Sequence, residues 1–194
     1  MRRSFNFGYR SAAHFIEVWC GPIHKAFASL PEDKAPRDVV LCAPGLMCTA
    51  DPERASRETR RVLRPGGRAG LAVWGARESC GWAPAPEIID AEVASDVCLL
   101  FFRLGATKSG LADACVDAGF TSVELKQIEM TLVYKDDNAA CEAVFAGGPV
   151  ALAWSRFDAT VRARVRERYL EVIAPCRDGI EYRLPASYII ATAS

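Results

Sequence analysis

Two histidines, His14 and His24, are the side chains of this 194-residue chain whose ordinary pKa lies nearest neutrality. They are therefore its natural general-base candidates. Ten positions and a Gly21-Pro22 break separate them, so spacing alone does not make them a pair, and two ordinary helix histidines explain them equally well. Eight cysteines are scattered without a Cys-x-x-Cys pair, which argues against a zinc site or a disulfide framework. Cys42, Cys98 and Cys115 have apolar neighbours, where a free thiol packs as a small hydrophobe. Gly66 and Gly67 follow a predicted helix and precede a predicted strand. A phosphate cradle needs the opposite order, so this pair reads as a helix C-cap. Arg162, Arg164, Arg166 and Arg168 have acidic neighbours and predict a solvated helix face rather than a nucleic-acid surface. Trp74, Trp82 and Trp154 read as core or pocket wall.

The elements that must position these residues are clearest between Asp38 and Gly75. Val39, Val40, Leu41 and Cys42 form a continuous apolar run, expected of a parallel strand buried on both faces. Asp51 suits an N-cap and Pro52 the first helical position, where the missing N–H is no loss. Ala55, Thr59, Val62 and Leu63 then form a helical stripe, and Glu53 and Arg57 are spaced for an ion pair. Pro65, Gly66 and Gly67 are expected to end that helix, and Ala69 to Trp74 to form a second strand. A strand–helix–strand unit of this length crosses over right-handed and leaves the two strands parallel.

Further along, Gly81, Pro84 and Pro86 suggest a loop, followed by helix from Glu87 to Leu104. Ser109 is placed to cap a helix carrying Leu111, Cys115 and Ala118, with Gly119 closing it. From Ser122 the period is two, with a slip between Gln127 and Ile128 that predicts a β-bulge or a broken strand. Asp136 to Trp154 reads as helix interrupted at Gly147-Gly148-Pro149. Asp158 caps a helix facing inward through Val161, Val165, Tyr169, Val172 and Ile173, and Pro175 ends it. Tyr188 to Ala191 makes a short final strand.

The string DVVLCAPGLM…DPERASRETRRVLRPGGRAGLAVWG resembles the second half of the class I S-adenosylmethionine-dependent methyltransferases, in particular the ubiquinone/menaquinone-biosynthesis group. AFAGGPVALAWSRFD and the closing YRLPASYIIATA resemble the same group. The resemblance implies an α/β fold: a partial Rossmann-like methyltransferase sheet of parallel strands with an antiparallel C-terminal strand, its N-terminal strands missing. It implies S-adenosylmethionine as cofactor and places Cys42, Ala43 and Pro44 beside the cofactor's methionine portion. A thiol that merely ends a strand is the alternative for Cys42. Ser29-Leu30-Pro31 with Glu32 and Asp33 resembles the adenine-side loop, and a surface loop explains it as well.

The family's glycine-rich turn and ribose-binding acid would precede Asp38, and neither is found there. Residues 1–37 are therefore set apart as a helical N-terminal segment of uncertain origin, and 38–194 as the C-terminal part of a methyltransferase-like domain. Ser11 could cap a helix through His14, Phe15, Ile16, Val18 and Trp19, and Pro22 could open another with Ile23, Phe27 and Leu30. This stretch loosely resembles the family's substrate-covering helical insertion. With 51% hydrophobic residues and 24 basic against 24 acidic side chains, the composition suits a globular core without a field for nucleic acid or membrane. A reduced, cytoplasmic setting is expected. The expected function is methyl transfer to a small molecule, with activity of this chain alone in doubt. The alternative is a non-catalytic remnant or the partner- or ligand-binding subunit of a split enzyme. The Val39–Cys42 strand, lacking its family neighbour, is expected to invite self-association or a partner chain.

Overall fold

The structure is a computed structural model that describes residues 37–42, 45–49, 51–93, 97–146 and 150–194. Expectations for residues 1–36, and for Ala43, Pro44 and 147–149, lie outside the described residues. The strands are β1 (Arg37–Cys42), β2 (Leu63–Trp74), β3 (Val123–Tyr134), β4 (Arg177–Asp178) and β5 (Glu181–Ala193). The helices are α1 (Pro52–Arg61), α2 (Pro84–Val93), α3 (Gly110–Asp117), α4 (Asp137–Phe145), α5 (Ala151–Arg156) and α6 (Ala159–Ile173). The sheet order is β1-β2-β5-β3, with β4 paired to β5. The fold is thus the mixed α/β sheet expected, with β1 and β2 parallel and β5 antiparallel to β2.

Two compact units share the chain. One contains the described residues up to Cys80, Leu99–Met130 and Pro185–Ser194; the other contains Gly81–Cys98 and Thr131–Leu184. In the first, β2 is the reference strand. Val39 to Cys42 pair with Arg68 to Leu71 on one side, and Ala69 to Trp74 pair with Tyr188 to Ala193 on the other. α1 opens as the sequence predicts, with Asp51 Oδ1 accepting from the Arg54 N–H at 2.8 Å. Its inner face buries Ala55, Ser56 and Thr59. The two hydroxyls donate to Pro52 O and Ala55 O, both at 2.9 Å, so these polar residues enter the core with their hydrogen bonds satisfied.

Several local expectations are corrected. α1 ends at Arg61, before the Pro65-Gly66-Gly67 stretch, which lies inside β2. The register explains it: from Arg37 to Val39 on β1 the partner strand advances from Leu63 to Arg68, so the extra residues bulge out. Gly66 takes φ +77° there, a left-handed conformation that favours glycine. Glu53 pairs with Arg103, and Glu58 with Arg61 at 2.8 Å, in place of the expected Glu53–Arg57 pair. β1 is buried on one face only: Val40 is buried, whereas Val39 is 52% and Leu41 79% exposed.

Pro84 opens α2 rather than lying in a loop, and the apolar run from Val97 to Gly105 takes tighter three-residue turns separate from that helix. Ser109 precedes α3 without a side-chain capping bond, while Gly119 closes it at φ +93° as expected. β3 runs continuously from Val123 to Tyr134, which excludes the broken-strand alternative, while its partly buried positions pass from odd (Val123) to even (Ile128, Leu132, Tyr134), the change of period expected near Gln127. β5 carries an irregularity of its own, its buried side chains changing parity between Ala186 and Ser187. The preceding Pro185 cannot donate to a ladder, which makes a slip easy to accommodate at this point. β5 is also much longer than the predicted Tyr188–Ala191 strand.

The second unit is built on α2, α4, α5 and α6. Asp136 and Asp158 cap α4 and α6 through the Ala139 and Val161 N–H groups, at 2.7 and 2.9 Å. Val165, Tyr169 and Ile173 are buried, while Val172 is exposed, contrary to expectation. Trp154 stacks on Phe145 with ring centroids 4.6 Å apart, and Tyr169 meets Phe145 edge-on at 5.3 Å. The α6 arginines do more than face water. Arg164 forks onto Glu92 at 3.2 and 2.6 Å, Arg166 reaches Asn138 at 2.7 Å, and Arg162 binds the Trp154 and Ser155 carbonyls.

The guanidinium of Arg164 hydrogen-bonded to Glu92 holds that carboxyl below its ordinary range. A carboxylate with a depressed folded-state pKa stabilises above its unfolded value and loses that contribution as pH falls through the folded one. Glu92→Gln is therefore expected to lower the melting temperature at neutral pH and to match the wild type once Glu92 is protonated; thermal melts across the acid range check this.

Candidate functional site

In an open α/β sheet, ligands bind beyond the carboxyl ends of the parallel strands. Here those ends are Cys42 on β1 and Trp74 on β2, and the chain folds back tightly over both. Beyond Cys42, a Cβ placed on Gly45 would come 2.8 Å from the Cys42 sulfur, so the loop closes directly on the thiol. Burial pushes that thiol up from its usual pKa, while hydrogen bonds from the Gly45 and Leu46 backbone act in the opposite direction. The following turn, Leu46–Cys48, buries Leu46 and Met47 and is pinned by Thr49, whose hydroxyl donates to Leu46 O at 2.7 Å. Met47 reaches across to β2, its sulfur accepting the Trp74 N–H at 3.4 Å. The two strand ends are thereby joined by a thioether.

The β2 end is equally crowded. The Gly75 N–H donates to Ser187 O at 2.7 Å, and a Cβ on Gly75 would lie 2.6 Å from Ser187 Oγ. Gly105 lies against the other side of the corner, where a Cβ would fall 1.8 Å from Trp74 O. A polar chain leads outward from this corner. The Gln127 amide donates to Ser187 Oγ at 3.0 Å and to Glu129 Oε1 at 2.6 Å, so a buried hydroxyl is linked to an exposed carboxylate. The Cys80 thiol points at Ser187 O, 3.6 Å away, and is pushed up mainly by burial, with Glu129 and Glu78 adding to the effect.

Of the residues the sequence singled out, the described structure places Cys42 at this edge; Ala43, Pro44, His14 and His24 lie outside the described residues. Sequence reasoning missed Met47, Gly75, Gly105, Gln127 and Ser187. Gly75 closing a predicted strand was the one available signal, since the others meet through the fold from distant positions. Among the described residues no group of three or more His, Cys, Asp or Glu could hold a metal ion, and no helix is long and apolar enough to cross a membrane.

The sheet with these strand ends defines a class: the α/β fold of methyltransferases. Residues 8–71 match the methyltransferase domain family, a segment that runs across the Arg37/Asp38 boundary. A candidate methyltransferase from Bacillus halodurans C-125 is similar in structure, at 16% identity and a TM-score of 0.50, over 82% of this chain and 71% of that one. The YcgJ protein of Bacillus subtilis is similar at 16% identity and a TM-score of 0.50, over 86% of this chain and 67% of that one. No curated protein matches the chain. Part of the chain is thus similar to the methyltransferase domain family, and the chain shares the fold of these two proteins. The matches do not single out the ubiquinone/menaquinone-biosynthesis group.

The described residues do not fit the whole cofactor that this family implies. The Gly45 and Leu46 backbone groups are turned onto the Cys42 thiol, Asp51 is spent capping α1, and Glu129 is held by Gln127. Each of these groups is thus engaged within the chain.

Two outcomes follow from the crowding. Gly105→Ala must displace the Trp74 carbonyl and is expected to cost about 2–3 kcal/mol in urea unfolding, at the upper end of ordinary overpacking. Cys42 is expected to react with iodoacetamide more slowly than a free thiol at mildly alkaline pH, as followed by mass-spectrometric mapping.

Proposed function

We propose that the protein is a methyltransferase-like protein acting on a small molecule, with S-adenosylmethionine as the family cofactor and Cys42, Ala43 and Pro44 on its methionine side. The observation that carries this reading is the strand order β1-β2-β5-β3, with two parallel strands followed by an antiparallel one. The carboxyl ends of β1 and β2 form the edge where such a sheet takes its ligand. What the described residues offer there is a closely packed wall for positioning, and alignment is the main requirement of a group transfer between bound molecules.

A second reading rests on the same edge: a non-catalytic remnant, or the ligand-binding subunit of a split enzyme. It is favoured by the commitment of the nearby donors and carboxylates to internal partners. On either reading this chain alone has no appreciable affinity for S-adenosylmethionine. Isothermal titration of the full chain is expected to give no binding heat at micromolar cofactor. Micromolar affinity would establish a complete cofactor site instead. Affinity restored by adding the product of a neighbouring reading frame would select the split enzyme.

A further inference from the structure

In the first unit β1 is an edge strand, with β2 as its one neighbour among the described residues. Along such a strand the backbone groups of successive residues point to alternate sides. The Arg37 N–H donates to Val62 O at 2.9 Å, and a Cβ on Gly67 would lie 2.9 Å from the Arg37 carbonyl oxygen. Arg37 therefore turns both of its backbone groups toward β2. By alternation Val39 and Leu41 do the same, and Asp38, Val40 and Cys42 direct theirs outward. The side chains alternate too: Val40 is buried, while Val39 and Leu41 are 52% and 79% exposed. β1 thus offers a row of outward donors and acceptors beside an exposed apolar pair. Such an edge is a template for pairing with another strand.

We infer that the occupant of this edge is β1 of a second copy, paired antiparallel about a two-fold axis that passes through Val40. A two-fold axis perpendicular to the sheet pairs even positions with even and odd with odd, which leaves few registers. With the axis at Asp38, two carboxylates would face one another, a like-charge clash. With the axis at Val39, Arg37 stands opposite Leu41, and within the strand only Asp38 and Val40 exchange backbone bonds. With the axis at Val40, Asp38 faces Cys42 and Val40 faces its own copy, so every outward residue of the strand enters a hydrogen-bonded pair. Asp38 meanwhile keeps its ion pair with Arg64. In the same register Val39 of each copy faces Leu41 of the other, in the non-hydrogen-bonded positions where side chains approach most closely. One arrangement therefore pairs the outward backbone groups and covers the exposed apolar residues together, a self-complementarity that selects a second copy over an unrelated strand. The contact is isologous and closes on itself. It is also small, which makes the dimer weak and populated at high micromolar concentration.

Two measurements on the full chain test this. In hydrogen exchange the Val39 and Leu41 amides, bonded to β2, are expected to be protected at every protein concentration. The Val40 amide is expected to exchange freely at low micromolar concentration and several-fold more slowly at high micromolar concentration. Protection of Val40 that does not depend on concentration would overturn the proposal, since the edge would then be covered within one chain. A Val40 amide that stays fast throughout would overturn it as well. Sedimentation velocity tests the register, through exposed side chains that lie outside the candidate site. Val39→Lys combined with Leu41→Lys sets like charges opposite each other and is expected to leave a monomer. Val39→Glu combined with Leu41→Lys sets opposite charges face to face in this register and like charges in the one centred on Val39, and is expected to retain the dimer. Survival of the dimer in both variants would assign it to another surface, and its loss in both would reject the register; either result overturns the proposal.

Discussion

The backbone ladder of β2 is the constraint on which the first unit depends. Its N–H and C=O groups are paired to a parallel strand on one side and an antiparallel strand on the other. A buried strand must find partners for all of these groups, and an orphaned one costs about 1–3 kcal/mol. Once β1 and β5 hold their registers, the remaining geometry follows. Ala69, Leu71 and Val73 turn to the same side, α1 can bury Ala55, Ser56 and Thr59 against that side, and Trp74 is delivered to the carboxyl edge.

That edge is held by close backbone approach rather than by a large apolar cluster. Gly75 lies against Ser187, and Gly105 against the Trp74 carbonyl, at separations that exclude even a methyl group. Met47 supplies a soft sulfur acceptor for the Trp74 N–H, tying the loop after β1 to the end of β2. Polar groups at this corner are mostly committed to one another, as in the Glu129–Gln127–Ser187 chain. Such a corner suits a rigid positioning wall, and rigidity is what sites for group transfer need from their scaffold.

The second unit uses different means. Its helices are fixed by two aspartate caps, an aromatic cluster around Phe145 and the forked Arg164–Glu92 pair. Tyr182, nearly fully buried, donates its hydroxyl to Asp137 at 2.9 Å, with Arg177 over its ring. Tyr169 is fully buried, and its hydroxyl has no hydrogen-bond partner among the described residues; burial keeps it protonated far above the usual tyrosine range. Its ring contact with Phe145 offsets part of that cost.

Local chemistry was legible in the sequence because it acts over a few residues. Asp51-Pro52, Asp136 and Asp158 mark helix starts through side chains that reach an N–H three positions on, and all three do so here. The pairing of Val39–Cys42 with the strand ending at Trp74 was equally readable, because a strand–helix–strand unit of this length leaves little choice of topology. The tertiary structure decided what depends on partners remote in sequence. It drew Pro65-Gly66-Gly67 into a bulge of β2, because β1 pairs on both sides of that excursion. It extended the final strand from Tyr188–Ala191 to Glu181–Ala193, because β4 pairs with its beginning and β2 with its end. It left Leu41 open to solvent although its neighbours in sequence are apolar, because burial is set by what packs above a strand and not by the strand's own composition.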